Sequence, residues 1–222
     1  HLLNRMIDPS QDCIAMILIL LGLCCRHHHD PSCHRFSILH CSPSAMDSVT
    51  TTPDDRRRCR VLGIPVDACR DVQAAAIGLH ARGGGRIVTL NAEMTMTARS
   101  LPELGHAIEG ADLVIPDGAG VVWALARQRV SVVKTAGIEL AWTLLEYAAA
   151  HSWRVALVGA APAVMDSLRQ SLPQRIQGLN LVMAVDGYQP ADAWDGIEAE
   201  LHQLNPDLVL VALGVPRQET WS

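Results

Sequence analysis

The sequence has few aromatic residues and little positive charge. Of its 222 residues only five are Trp, two Tyr and one Phe, and the net charge is −5. Proteins that bind single-stranded nucleic acid stack bases on several aromatic side chains and present a basic surface. We therefore expect no nucleic-acid partner. The chain is 49% hydrophobic, which is enough apolar material for the core of one α/β domain.

Several catalytic and cofactor motifs are also missing. No D-x-D occurs, so a metal-held sugar nucleotide is not indicated and we expect neither a metal nor a cofactor. The absence of G-x-G-x-x-G, and of an acidic residue at the usual distance from it, disfavours a dinucleotide-dependent oxidoreductase. No Ser or Cys lies in the context of a nucleophile elbow. The histidines at positions 80, 106, 151 and 202 lack spaced partners, which indicates structural or surface roles.

A disulfide framework is not indicated in the main body of the chain. Five of the seven cysteines lie within the first 41 residues, and only Cys59 and Cys69 remain beyond them. This distribution is typical of a protein from a reducing compartment, so the sequence predicts a cytoplasmic location.

Residues 1–45 differ in composition from the rest of the chain. Their apolar run, residues 13–25, is shorter than the roughly 20 residues that span a bilayer. One interpretation of the run is the core of a signal peptide. A second is a zinc site formed by the nearby Cys and His residues, although their spacing matches no regular metal-binding pattern. The third interpretation, which we favour, is upstream sequence translated ahead of a natural start at Met46. We therefore expect a non-native-looking or disordered leader over 1–45 and an α/β domain over 46–222.

From residue 60 onward, short apolar runs alternate with segments of helical periodicity. Apolar runs of four to eight residues indicate strands buried on both faces, and the helical segments between them indicate βαβ units. The sequence predicts a Rossmann-like parallel sheet with helices on both faces.

The ends of the predicted strands carry polar residues and glycines. Because the carboxyl ends of parallel strands open on one edge, we expect Thr89, Asn91, Asp117 and the glycine-containing turns after later strands to share a pocket. In "VIPDGAG", Asp117 is either a turn residue or a reactive carboxylate at a strand end. Likewise, Gly159 in "VGAAPAV" fits either a phosphate at a helix start or an ordinary turn.

Five stretches together carry a resemblance to a known family: "VTLNAEM", "ADLVIPDGAGVVWA", "AGIEL", "LVGAAP" and "GVPRQE". In order and spacing, from about residue 61 to the end, the chain resembles the WecG/TagA/CpsF glycosyltransferases. The resemblance implies an inverting, metal-independent transfer of an N-acetylmannosamine-like sugar from a UDP donor. The implied acceptor is N-acetylglucosamine linked to undecaprenyl diphosphate, and the products are cell-surface polysaccharides.

The resemblance also assigns roles to residues. Asp117 matches the proposed catalytic base, and Thr89 and Asn91 match polar residues of the same pocket. Residues expected to bind substrate are Gly118, Lys134, Gly137, Glu139, Gly159, Gly214, Pro216, Gln218 and Glu219. The implied partners are the UDP-sugar, the polyprenyl-diphosphate-linked acceptor and the inner face of the cell membrane, which the protein would meet peripherally. The resemblance is also compatible with an oligomeric protein.

The chain departs from the family in two respects. The family's arginine and aspartate around "R-x-x-G-x-D" are replaced by Lys134 and Glu139, and a lysine lacks the bidentate fork that suits a diphosphate. Family members also continue with another strand and a basic appendage beyond "RQETW", which implies a C-terminally truncated form. The alternative function is therefore a non-catalytic remnant that still binds a UDP-sugar.

Overall fold

The computed structural model describes residues 56–132 and 135–221, and these form seven strands and eight α-helices. The strands are β1 Arg57–Val61, β2 Ile64–Ala68, β3 Ile87–Leu90, β4 Leu113–Pro116, β5 Arg154–Gly159, β6 Asn180–Val185 and β7 Leu208–Ala212. The helices are α1 Val72–Ala81, α2 Ala92–Ser100, α3 Pro102–Glu109, α4 Ala119–Arg127, α5 Gly137–Ala150, α6 Pro162–Arg175, α7 Trp194–Leu204 and α8 Arg217–Thr220. A short 3₁₀ turn, Ala191–Ala193, precedes α7.

The first elements form an antiparallel hairpin, which the buried carboxylate of Asp67 joins to the parallel strands. Strands β1 and β2 pair around Gly63, where the sequence predicts a short extended pair. Asp67 on β2 has no solvent exposure. Its carboxylate accepts hydrogen bonds from Arg58 Nε and Nη2 at 3.0 Å and from Val114 N at 2.7 Å. The hairpin is therefore fixed directly to β4.

Local signals in the sequence set the helix boundaries. Asp71 caps α1, because its side chain accepts a hydrogen bond from Ala74 N at 2.8 Å. Pro102 stands at the first position of α3, where a proline's missing N–H costs nothing, and this separates α3 from α2. Pro162 begins α6 in the same way. The break between α2 and α3 therefore has a local cause in the sequence.

The parallel strands are paired in two groups. Strands β3 and β4 pair in parallel, and β5 pairs in parallel with β6 on one side and with β7 on the other. The predicted fold class, a parallel α/β arrangement with helices, is confirmed. In the described chain, however, hydrogen bonds do not join the two groups into one continuous sheet.

The order β6-β5-β7 reverses direction at β5. The chain moves from β5 to β6 through α6 and then crosses back to β7 through α7. With the right-handed crossovers usual for such units, these two helices lie on opposite faces. In open α/β sheets a reversal of this kind marks the place where ligands bind, beyond the carboxyl ends of the two strands.

Three apolar clusters hold the strands and helices together. One joins the hairpin, β3 and helices α2 to α4. A second packs α5 and α6 against β5. The third joins α1, α5 and β4, and Ile87 of β3 and Leu208 of β7 pack against it. Helices α1 and α5 therefore span both parallel groups.

Candidate functional site

Asp117 directly follows β4 and is almost completely buried. Only 3% of its surface is exposed, and its backbone N–H donates to Leu90 O at 2.9 Å, which holds it beside the end of β3. Gly118, with φ +81°, then turns the chain into α4. The two interpretations of "PDG" are therefore compatible, because the turn itself presents a buried carboxylate at a strand end.

The amino terminus of α5 approaches Asp117 and Thr89. Gly137 N lies 3.4 Å from Asp117 Oδ2. A Cβ at position 137 would lie 2.8 Å from Thr89 Cγ2 and 3.3 Å from Asp117 Oδ2. Glycine is therefore needed for this approach, and the positive end of the helix dipole stabilises a negative charge on Asp117. The structure brings together three of the residues that the sequence analysis selected.

Asn91 has a structural role at the start of α2. Its side-chain oxygen accepts a hydrogen bond from Met94 N at 2.8 Å, so it caps α2. Its backbone oxygen accepts a hydrogen bond from Thr95 Oγ1 at 2.7 Å. The cap uses one lone pair of the side-chain oxygen, so the second lone pair and the side-chain NH₂ group are not needed for the cap.

A cleft of about 620 Å³ lies between β3 and β7, and we call it the β3–β7 cleft. It contains Thr89 and Gly137 near the strand ends and Gln218 and Glu219 of α8. Its apolar lining comes mainly from α1, α5 and β7, namely from Ala76, Leu79, Leu140, Ala141, Leu144, Leu208, Val209, Leu210 and Val211. Four of the residues selected from the sequence thus share one cavity.

Glu219 is the second buried carboxyl group in this region, with 4% of its surface exposed. Its Oε1 accepts a hydrogen bond from Gln218 Nε2 at 2.7 Å. Burial raises the pKa of Glu219, although the bond from Gln218 and the charge of Arg86 act in the opposite direction. Glu219 Oε2, Gln218 Oε1 and Trp221 Nε1 are buried and find no hydrogen-bond partner among the described residues. The cleft therefore contains polar atoms that a bound group can satisfy.

Gly159 lies at the carboxyl end of β5 with φ +116°. A Cβ there would lie 2.3 Å from Ala212 O, so glycine is required for the close contact between β5 and β7. In the structure, Gly159 therefore approaches the backbone of β7 closely. Phosphate binding at Gly159 stays a prediction. Gly214 has φ +79°, and Pro216 directly precedes α8.

Of the catalytic and substrate-binding residues predicted from the sequence and described by the structure, those that do not line this cleft are Asn91, Asp117, Gly118, Glu139, Gly159, Gly214 and Pro216. Glu139 is exposed in the first turn of α5 and lines a separate pocket of about 260 Å³ together with Arg70 and Thr135. Lys134 lies outside the described residues.

Arg86 and Trp221 line the cleft, but the sequence analysis did not select them. Arg86 Nη1 donates to Glu219 O at 3.2 Å and Arg86 Nη2 donates to Ala107 O at 2.6 Å, which links α8 to α3. An arginine directly before a buried strand was the available signal, yet sequence alone does not distinguish it from an exposed arginine.

The described ranges, 56–132 and 135–221, hold no group of three or more His, Cys, Asp or Glu side chains that could bind a metal ion. Within the same ranges, none of the helices has the length and apolar character needed to cross a membrane.

Open α/β folds bind ligands beyond the carboxyl ends of their strands, and at such a strand end this chain places a buried carboxylate beside a helix amino terminus. The family model for Glycosyl transferase WecG/TagA/CpsF family matches residues 59–222. The chain belongs to this family. It is therefore a member of a glycosyltransferase family of cell-surface polysaccharide synthesis, and the resemblance seen in the sequence is confirmed.

Proposed function

We propose that the protein transfers an N-acetylmannosamine-like sugar, with inversion, from a UDP donor to N-acetylglucosamine linked to undecaprenyl diphosphate. The observation that carries this proposal is the position of Asp117, buried at the end of β4 where the amino terminus of α5 approaches both Asp117 and Thr89. A carboxylate in this setting is suited to remove a proton from a hydroxyl group held beside it.

In the proposed reaction, Asp117 accepts the proton of the acceptor hydroxyl while that oxygen attacks the anomeric carbon of the donor sugar. The new glycosidic C–O bond forms as the bond between the anomeric carbon and the UDP oxygen breaks. UDP leaves with the electron pair of that bond. Attack from the side opposite the leaving group inverts the anomeric configuration. In this reaction we assign Thr89 and Asn91 to positions beside the reacting groups.

The diphosphate requires hydrogen-bond donors as its negative charge grows. We assign its binding to the strand ends at Gly159 and Gly214, because β5 and β7 flank the point where the strand order reverses. The start of α6 follows Gly159 closely and offers backbone N–H groups. Lys134, Glu139, Pro216, Gln218 and Glu219 complete the proposed set of substrate-binding residues, together with Gly118 and Gly137.

The membrane-embedded acceptor implies where the protein works. We infer a cytoplasmic protein that contacts the inner face of the cell membrane peripherally, because the diphosphate of the acceptor lies at that surface. The second candidate function, a remnant that binds a UDP-sugar without transferring it, rests on Lys134 and Glu139, which stand where the family pattern has an arginine and an aspartate.

Calorimetric titration with UDP, with and without EDTA, tests the donor part of the proposal. We expect binding that chelation leaves unchanged, because the proposed diphosphate contacts are backbone N–H groups. The matched control is NAD, which should not bind. Loss of UDP binding in EDTA, or preference for NAD, would contradict the proposed donor site. Binding of UDP-sugar without any transfer to a lipid-diphosphate acceptor would favour the second candidate.

A further inference from the structure

The carboxyl ends of β5, β6 and β7 meet at Gly187, the second residue after β6. Its backbone N–H donates to Ala160 O at 2.9 Å, just beyond the end of β5. A Cβ at position 187 would lie 3.2 Å from Leu213 Cδ2 and 3.3 Å from Gly159 Cα. The loop after β6 therefore lies against the ends of both β5 and β7, to which we assign the diphosphate of the donor.

Arg217 reaches this loop from the start of α8. Its Nη1 donates to Gly187 O at 3.1 Å. Arg217 is exposed, and in the part of the chain that the structure describes no carboxylate pairs with it. Arg58, Arg60 and Arg169, by contrast, each donate to a carboxylate. Within these described residues, the positive charge of Arg217 is therefore available to a bound anion.

Trp194, at the start of α7, contacts the face of the same guanidinium group. The Arg217 Cζ atom lies 4.4 Å from the centroid of the Trp194 ring. Trp194 Nε1 in turn donates to Gln189 O at 3.4 Å, and the ring packs edge-on against Trp221 with a centroid distance of 5.9 Å. An arginine held by an aromatic face and a carbonyl loses little further freedom when it binds a ligand. Trp194 therefore limits the orientations of Arg217 before any ligand is present.

The chemistry of this guanidinium group favours a phosphate as its ligand. An arginine carries several N–H donors, and the bond to Gly187 O uses one of them. The planar arrangement of the other donors matches two oxygens of a phosphate group. A sugar hydroxyl also accepts a hydrogen bond, but only an anion gains from the charge of the arginine. Of the parts of a UDP-sugar, the diphosphate therefore suits Arg217 best.

The position of Arg217 in the fold also agrees with an inverting reaction. Inversion requires that the attacking hydroxyl and the leaving oxygen lie on opposite sides of the anomeric carbon. The proposed base, Asp117, directly follows β4, whereas Arg217 follows β7 and contacts the loop after β6. A base from one group of parallel strands and a cation for the leaving group from the other fit this requirement.

We propose that Arg217 binds the diphosphate of the UDP donor and stabilises the negative charge that grows on the UDP oxygen as its bond to the anomeric carbon breaks. The proton of the acceptor hydroxyl goes to Asp117 and the electron pair of the broken bond leaves with UDP, so Arg217 neither gains nor loses a proton. The inference rests on the proposed transferase function and adds to it a residue that the sequence analysis did not select.

Titration of the full chain carrying Arg217→Gln, with UDP and with uridine, tests this assignment. Glutamine keeps an N–H donor for Gly187 O but removes the charge. In metal-free buffer we expect the affinity for UDP to fall at least about tenfold, while the affinity for uridine, followed by NMR, stays within about twofold. Arg217→Lys should give an intermediate affinity for UDP, because it keeps the charge and loses the planar fork. Arg169→Gln is the control and should change neither affinity, since Arg169 donates to Ala184 O within β6.

The outcomes separate this inference from the proposed function. Equal losses of affinity for UDP and uridine would show that Arg217 acts only through the loop after β6, and an unchanged affinity for UDP would show that it does not contact the diphosphate. Either result overturns the inference, while UDP binding by the unmodified protein leaves the proposed donor in place. If the unmodified protein does not bind UDP, the proposed donor fails and the inference fails with it. If Arg217→Gln does not fold, Arg217→Lys decides, because it must weaken the binding of UDP without weakening that of uridine.

Turnover provides a second measurement. Because charge grows on the leaving oxygen in the transition state, Arg217→Gln should lower kcat by about 10²-fold at saturating UDP-sugar and acceptor. A reduced affinity for UDP with an unchanged kcat would overturn the transition-state part of the proposal. If the unmodified chain transfers no sugar, the titration with UDP and uridine still decides whether Arg217 binds the diphosphate.

Discussion

Two buried aspartates in this protein differ in what surrounds them. Asp67, with no exposure, lies within β2 and receives two hydrogen bonds from Arg58 and one from Val114 N, all at 3.0 Å or less. Asp117, with 3% exposure, lies beyond the end of β4, and Gly137 N stands 3.4 Å from its Oδ2. The first carboxylate joins the hairpin to the parallel strands, whereas the second lies beside the amino terminus of α5 and is the base of the proposed reaction. Burial alone therefore does not identify a catalytic carboxylate, and its partners and its place in the fold must be considered.

The largest expected effect is on stability, from Asp67→Asn. The NH₂ group of the new amide would face N–H donors of Arg58 or Val114. The substitution would also remove the negative charge that pairs with Arg58. We expect a loss of about 3 kcal/mol in the free energy of unfolding, measured by urea denaturation. Asp195→Asn, at an exposed carboxylate in the first turn of α7, is the control and should change the free energy of unfolding by less than about 0.5 kcal/mol. Equal costs for the two variants would show that the Asp67 carboxylate does not hold the hairpin to β4.

The corresponding effect on activity is expected from Asp117→Asn. Transfer of labelled sugar to a lipid-diphosphate acceptor should fall by about 10²-fold or more, because the amide cannot accept the proton of the attacking hydroxyl. The affinity for UDP should change little, since a general base acts mainly in the transition state. Equal transfer rates for Asp and Asn at position 117 would leave Asp117 as a turn residue only.

A smaller effect separates capping from catalysis at Asn91. Asn91 and Asp71 both cap helices through 2.8 Å hydrogen bonds, so Asn91→Ala and Asp71→Ala should each cost about 1 kcal/mol of stability. Only Asn91→Ala should also reduce transfer, because only Asn91 lies beside the proposed site. Denaturation curves and transfer rates of both variants provide the comparison. A parallel loss of transfer in both would show that Asn91 acts through the helix alone.

The smallest effect concerns the third buried carboxyl group, Glu219. Burial raises its pKa above the ordinary value of 4.5, so the folded protein binds this proton more tightly than the unfolded chain does. Its contribution to stability is complete below about pH 4.5 and is lost as the pH rises through the raised pKa. Glu219→Gln should therefore flatten the decline in stability with rising pH, as measured by thermal unfolding at several pH values. Glu103→Gln, an exposed control, should leave the profile unchanged.

The local elements could be predicted from the sequence because each has a local cause. The turn at Gly63, the break at Pro102 and the apolar runs of β3, β4, β5 and β7 all correspond to observed elements. The cap formed by Asn91 could also have been predicted, because an asparagine directly precedes a helical segment. Pairing between strands could not be predicted in this way. It depends on which strand edges meet in the folded chain. Nothing in the sequence of β3 or of β7 indicates that these two strands do not pair with each other.

The candidate site was predicted in part for the same reason. Strand ends share an edge in any parallel sheet, so the grouping of Thr89 and Asp117 followed from periodicity and chain order. The approach of Gly137 required the direction of α5, which periodicity does not provide. The burial of Glu219 resulted from contacts between α8 and α3 that are distant in sequence. Glu139, by contrast, was selected by motif and lies in a different pocket.

The division of the parallel strands has a mechanical consequence for the proposed site. Asp117 belongs to the β3–β4 group and Gly159 to the β5–β7 group, and helices α1 and α5 form apolar contacts with both. Aliphatic packing is far less directional than a ladder of backbone hydrogen bonds. The distance between the proposed base and the proposed phosphate contacts therefore depends on helix packing and on isolated polar contacts such as that of Arg86 with Glu219 O, whereas each half of the site is held by its own strand ladder. Under mild heat or denaturant, we expect the contacts between the halves to weaken first, so that catalytic alignment is lost while both halves keep their secondary structure.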